Sequence, residues 1–278
     1  MYYDQGKYAL AKERFDKCGR NDVTQGLSLE CLYLMSKYEE FTASLVEYIK
    51  VNQTNRRVAA LSAYAANQLL QEDIYPFCAS PLDYVYKGQL AHSSLENSRF
   101  VRAFEDEMTD IQTVWEPASN TTKKGYRTIG NLFELRSENI QKMELYIKNH
   151  VETYFNKYIN SQNLFIKEWP KAFSLQGWFN RLVKGGNHIS HIHPAGWLSG
   201  VVYLNMVDDP QNDEGAIKFS LHGYNYPILR DEIPANTVQP QSGEIVLFPS
   251  SLFHETIPLI QDSVRCAVAF DIIPIKDN

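Results

Sequence analysis

The chain has 278 residues, 44% hydrophobic and 22% charged, with 27 Lys and Arg against 33 Asp and Glu and a net charge of −6. That is enough apolar material for a core that needs no disulfide or metal staple. The acidic balance excludes the global positive field of a nucleic-acid or anionic-membrane binder, and no apolar run reaches the length of a membrane span.

The four cysteines, Cys18, Cys31, Cys78 and Cys266, lie far apart with no CxxC, and they read as small core residues. Together with a polar N-terminus that has no apolar signal region, they predict free thiols, a reducing compartment and a cytoplasmic protein. The sequons Asn52-Gln-Thr54 and Asn120-Thr-Thr122 read as chance matches.

Residues 1–70 read as helices. Apolar residues recur at helical spacing from Tyr8 to Phe15 and again from Tyr38 to Leu45, 30 residues on, each time after a Lys. An Ala-rich helix is predicted over Arg56–Leu70. Residues 71–135 read as irregular, with turns at Tyr75-Pro76, Ser80-Pro81 and Glu116-Pro117 and one helix over Ser94–Ile111. The Thr/Gly/Lys-rich stretch 121–133 reads as a loop, either lining a site or a solvated connection. Ser137 is a candidate N-cap for a long helix to Ile159, with Ile140, Met143, Ile147, Val151, Tyr154, Phe155 and Tyr158 on one face.

From Phe173 the segments become short, β-branched or aromatic, separated by Gly, Pro, Asn and Asp. Eight strands are predicted, over 173–183, 187–193, 197–206, 214–220, 236–240, 244–248, 252–257 and 263–273. Eight short strands without intervening helix indicate a jelly roll or barrel. The fold class is therefore α+β: a helical segment over 1–70, then a unit over 71–278 whose β core spans about 173–275.

Of seven histidines, three fall in His188-Ile-Ser-His-Ile-His193. On a strand, residues i and i+2 share a face, so His191 and His193 aim two imidazoles at one point. His254, on a later strand, completes a candidate three-histidine metal site; imidazole suits Zn, Cu, Fe and Ni. The bland alternative is three polar residues at a strand edge. His188 has the wrong parity for a ligand unless a bulge intervenes. His92, His150 and His222 read as structural, Glu255 is expected to point away, and Asp208 and Asp209 are poorly placed to coordinate. Arg265 stands in an otherwise apolar strand, Val264-Arg-Cys-Ala-Val-Ala-Phe270, where an unpaired cation is costly. Its planar fork suits a carboxylate. The chain has no Walker P-loop, no GxSxG and no dinucleotide fingerprint.

Two resemblances follow from these residues. Tyr3-Asp-Gln-Gly-Lys-Tyr-Ala-Leu-Ala-Lys-Glu-Arg-Phe15 resembles the turn and second helix of a tetratricopeptide (TPR) repeat, which implies a chain starting inside a longer helical array and a possible protein or peptide partner. A plain helical bundle is the alternative. More specifically, His191-Ile-His-Pro-Ala-Gly-Trp-Leu-Ser-Gly-Val-Val-Tyr-Leu-Asn205, Gly215–Phe219, Gly243–His254 and Arg265, 11 residues after His254, resemble in order the Fe(II)- and 2-oxoglutarate-dependent oxygenases of the prolyl-hydroxylase branch. Tyr75–Asp83 and Gly125–Phe133 resemble an uncharacterised bacterial group of such oxygenases.

The resemblance implies a double-stranded β-helix, Fe(II) on His191, His193 and His254, and O2 as a further substrate. It also implies 2-oxoglutarate held at its far carboxylate by Arg265 and Tyr203, with Ser199 and Asn180 as further contacts and Trp197 at the mouth of the site. The implied reaction hydroxylates an unidentified substrate and releases succinate and CO2. One departure stands out: His193 occupies a position where the family usually carries Asp or Glu, leaving three neutral ligands. That resembles three-histidine dioxygenases that use no 2-oxoglutarate. A catalytically inactive interaction module is the remaining alternative.

Overall fold

The computed structural model describes residues 2–19, 21–91, 93–118 and 121–275; His92 and Asn120 lie outside them. Four helices come first: α1 (Tyr8–Lys17), α2 (Asp22–Leu34), α3 (Tyr38–Ile49) and α4 (Arg56–Leu69). Asn21 caps α2 by accepting from Thr24 N, and Asn55 caps α4 by accepting from Arg57 N and Val58 N. The 30-residue recurrence extends to the backbone. Lys7 and Lys37 precede their helices with the same geometry (φ −87, ψ 62 and φ −89, ψ 61). The preceding turns also match, with Gly6 N donating to Tyr3 O and Ser36 N to Tyr33 O. Small side chains bury α4 almost entirely, from Val58 through Ala65.

The middle of the chain holds more strand than its composition suggests. β1 (Tyr86–Gln89), α5 (Ser94–Thr109), β2 (Thr113–Trp115), β3 (Thr122–Thr128), α6 (Glu138–Tyr158) and α7 (Leu164–Lys167) follow in order. The predicted loop at 121–133 is thus mostly strand β3. Its residues are polar and half exposed because β3 lies near the sheet edge, where no alternating apolar signal is needed. Ser137 caps α6 by accepting from Ile140 N.

The β-rich part contributes β4 (Phe173–His188), β5 (Leu198–Asn205), β6 (Ile217–Ser220), β7 (Ala235–Val238), β8 (Glu244–Pro249), β9 (Phe253–Thr256) and β10 (Arg265–Pro274). One antiparallel sheet has the order β1-β8-β5-β10-β4-β3-β2 and a second β7-β6-β9. The chain crosses between them after β5, β7, β8 and β9, which makes the double-stranded β-helix. The strand expected over 187–193 is not separate. β4 continues to His188, and only His191 forms an isolated bridge with His254. Within β4 the pairing to β3 jumps from Asn187↔Lys123 to Leu182↔Gly125, a bulge that resets side-chain parity for His188. Gly185 sits in the bulge at φ +76, a conformation that disfavours a β-carbon.

One hydrophobic core runs from Leu29 to Ile272. Glu30, fully buried, joins its helical and β parts. It accepts from Tyr3 OH and Arg57 Nη1 (2.9 Å each) and from the Tyr226 hydroxyl in the segment between β6 and β7. Breaking such a buried pair leaves a charge uncompensated, so Glu30→Ala is expected to lower unfolding free energy by about 3–5 kcal/mol, read by urea titration. Among the described residues, no helix is long and apolar enough to cross a membrane.

Candidate metal centre

His191 and His254 are brought together by backbone bonds in both directions, His191 N to His254 O (3.1 Å) and back (3.0 Å). His193 N donates to Ser250 O (3.0 Å), stitching the same segment to the approach of β9. Helix α4 braces the far side of this turn, Arg56 Nε donating to Pro194 O (3.1 Å). Gly196 closes the turn, and a β-carbon there would meet Ser250 Oγ at 2.6 Å and the Asp271 carboxylate at 3.1 Å.

The three imidazoles converge. Each offers one ring nitrogen within 4.8 Å of the others, and the Nε2 atoms of His191 and His193 lie 3.0 Å apart. Each Nδ1 faces an acceptor: Ile189 O for His191 (2.7 Å), Asp271 Oδ1 for His193 (2.6 Å) and Leu252 O for His254 (3.0 Å). Carbonyls and a carboxylate accept only, so Nδ1 carries the hydrogen in all three rings and every Nε2 keeps its lone pair. Burial, then the neighbouring His193, pushes His191 down to about 3. Burial, then His191 and His193, holds His254 well below the usual range. These two rings are neutral ligands at physiological pH, so the donor set fits a divalent transition metal.

Strand β10 supplies the rest through one face. Arg265, Ala267, Ala269 and Asp271 alternate along it, with a cation at one end, an anion at the other and two small side chains between. The alanines leave a cavity lined by Asn180, His188, Ala267, Ala269, Arg265 and the three metal-site histidines, among others. Arg265 is 2% exposed. Its Nε donates to Gly215 O (3.0 Å), its Cζ lies 5.0 Å from the Tyr203 ring, and no described carboxylate pairs with it. The Tyr203 hydroxyl is buried without a hydrogen-bond partner. Burial pushes Tyr203 up to about 12, and burial also lowers Arg265. A buried cation beside an orphaned hydroxyl has the chemistry to take a carboxylate.

The structure thus gathers His191, His193, His254, Arg265 and Asn180 around one cavity, with Tyr203 beside Arg265. Ser199 does not line it. Its hydroxyl donates to Asp271 Oδ1 (2.6 Å) and so steadies the acceptor of His193. Trp197 is not at the mouth: its Nε1 donates to Phe165 O (2.9 Å) and its ring packs against Phe77 in the core. Glu255 points away, to Lys218 (3.1 Å). His222 and His150 are bonded to the Tyr226 and Leu90 carbonyls. All four thiols are free; Cys18 is exposed rather than in the core, because α1 turns that end to solvent.

Three residues escaped the sequence reading. Asp271 was detectable by the argument applied to Arg265, a charge in an apolar strand at matching parity. Arg127 was not, since β3 reads as a loop, and Trp178, on the predicted strand 173–183, carried no charge or ligand signal to single it out. They line a second, open pocket with Thr121, Thr122, Asn180 and His188, which meets the first cavity at His191 and His193. The metal group sits at the junction of the two.

Residues 176–271 match the family model described as "Putative 2OG-Fe(II) oxygenase". No curated protein gives a significant match. Among solved structures, a Pseudomonas putida prolyl-4-hydroxylase is 12% identical, covering 69% of this chain and 92% of that one (TM-score 0.49). HygX from Streptomyces hygroscopicus, with nickel and 2-oxoglutarate bound, is 16% identical over 68% and 82% (TM-score 0.49). A Trichoplax adhaerens prolyl hydroxylase in complex with a hypoxia inducible factor peptide fragment is 15% identical over 79% and 90% (TM-score 0.47). Residues 176–271 are thus similar to the 2OG-Fe(II) oxygenases.

Proposed function

We propose that this protein is an Fe(II)- and 2-oxoglutarate-dependent dioxygenase that hydroxylates a substrate with release of succinate and CO2. Residues 71–278 form the oxygenase unit, and 1–70 a TPR-like helical segment suited to a protein or peptide substrate. The free thiols agree with a cytoplasmic location. The observation that carries the reading is Arg265, buried without a counter-ion on the cavity that the three metal-site histidines share.

Bound iron and 2-oxoglutarate would supply the oxidising chemistry. The protein's part is positioning. The Nε2 atoms of His191, His193 and His254 hold the metal. Arg265 and the Tyr203 hydroxyl take the distal carboxylate of the cosubstrate. Asn180 and His188 line the space between, where burial, then Arg265, keeps His188 neutral. Its Nδ1 is fixed against Thr256 Oγ1 (3.1 Å). Asp271, behind His193, supplies the negative charge that three neutral ligands lack.

Anaerobic titration with Fe(II) and 2-oxoglutarate tests this without a prime substrate. The expected result is a weak visible charge-transfer band that saturates with 2-oxoglutarate. Iron binding without the band would indicate three-histidine chemistry independent of cosubstrate. No iron binding would leave the β-helix as a scaffold.

A further inference from the structure

The inner cavity reaches Arg265, and the open pocket that meets it at His191 and His193 has an arginine of its own. Arg127 lies on β3 opposite Asn180 of β4, its guanidinium 4.4 Å over the Trp178 ring. A guanidinium held over an aromatic ring keeps its planar fork of N–H donors. Among the described residues, Arg127 enters no salt bridge and donates no side-chain hydrogen bond. The acid that acts on it is Asp271, whose Oδ1 is already taken by His193 Nδ1 and Ser199 Oγ. The other titratable groups lining this pocket are His188, His191 and His193. Among the described residues, the lining of the pocket therefore presents one arginine and no carboxylate. Desolvation weighs on this guanidinium, lowering it to about 10.

We propose that the open pocket binds the prime substrate through a carboxylate, held by the Arg127 fork against Trp178 beside the metal group. The assignment rests on the oxygenase reading, because it takes the inner cavity as the cosubstrate's. Arg265 and Arg127 then divide two acids between them, one in each cavity. Thr121 and Thr122, on the same wall, place hydroxyl-bearing side chains near the substrate.

Arginine side-chain NMR of protein loaded with Zn(II) and 2-oxoglutarate tests both levels in one sample. The Arg265 Nε–H signal should move on adding 2-oxoglutarate; if it does not, the oxygenase reading fails. With the inner site filled, acetate is titrated as the probe, with acetamide as its neutral match and inorganic phosphate as the other anion. Arg127→Lys identifies the signal. The expected result is a saturable shift of Arg127 Nε–H with acetate, at least tenfold tighter than with acetamide. Equal response to acetate and acetamide, or none to acetate, overturns the proposal. A response to phosphate but not acetate overturns the carboxylate assignment in favour of a phosphate-bearing substrate.

Discussion

Replacing Arg265 by Met is expected to abolish 2-oxoglutarate binding while leaving the metal-free protein as stable as before. The two halves of that outcome have separate causes. Removing one partner of a buried, charge-assisted pair costs about 2–5 kcal/mol of binding, roughly 30- to 5,000-fold in Kd. The charge-transfer band should vanish at cosubstrate concentrations that saturate the wild type. Stability behaves otherwise, because Arg265 is a desolvated cation with no carboxylate partner in the protein. Met relieves that desolvation cost at similar volume and loses one hydrogen bond to Gly215 O, worth about 1–3 kcal/mol. Urea unfolding of the metal-free protein should show no loss. A structural arginine would give the reverse pattern, with unfolding free energy falling and cosubstrate affinity holding.

Asp271→Asn is expected to weaken Fe(II) or Ni(II) binding by about 10- to 100-fold, read by calorimetry on the metal-free protein. Asparagine keeps an acceptor oxygen for His193 Nδ1 and so preserves ring orientation. What it removes is the charge. The usual carboxylate ligand puts that charge on the metal; here it stands one hydrogen bond behind, at 2.6 Å from His193. If charge is what matters, restoring it at the metal should compensate. The double variant His193→Asp with Asp271→Asn is expected to regain at least tenfold of the lost affinity. Unchanged affinity in Asp271→Asn would mean that the carboxylate only orients the ring, and failure of the double variant would mean that the imidazole is needed for geometry.

Legibility in the sequence followed burial. β5, β8 and β10 are buried on both faces and read as short apolar runs, so they were found nearly to the residue. β1 and β2 are short edge strands and β3 lies beside the edge, and nothing in Thr122-Lys-Lys-Gly-Tyr-Arg-Thr128 distinguishes β3 from a solvated loop. The same difference governs the site. His191 and His193 were legible from spacing, although they converge from an irregular segment pinned to His254 rather than from a regular strand. Arg265 was legible because a cation interrupts an apolar run. Trp197 misled because an aromatic beside a ligand motif suggests a site wall, whereas the indole N–H finds its acceptor in the α7 segment. Ser199 misled in a useful way: its face was right, but its partner is Asp271.

The pairing of distant segments also sets an order of folding. β1 joins the sheet only through β8, and β4 waits for β10 on the edge away from β3. Glu30 on α2 waits for Tyr226, nearly two hundred positions further along the chain. Such sequence-remote contacts must be closed against loop entropy before they stabilise anything, which slows folding. During synthesis the helices emerge first, with a buried carboxylate and an aromatic face still uncovered. Until the last strands arrive, the face of α1–α4 that packs against them stays open to solvent.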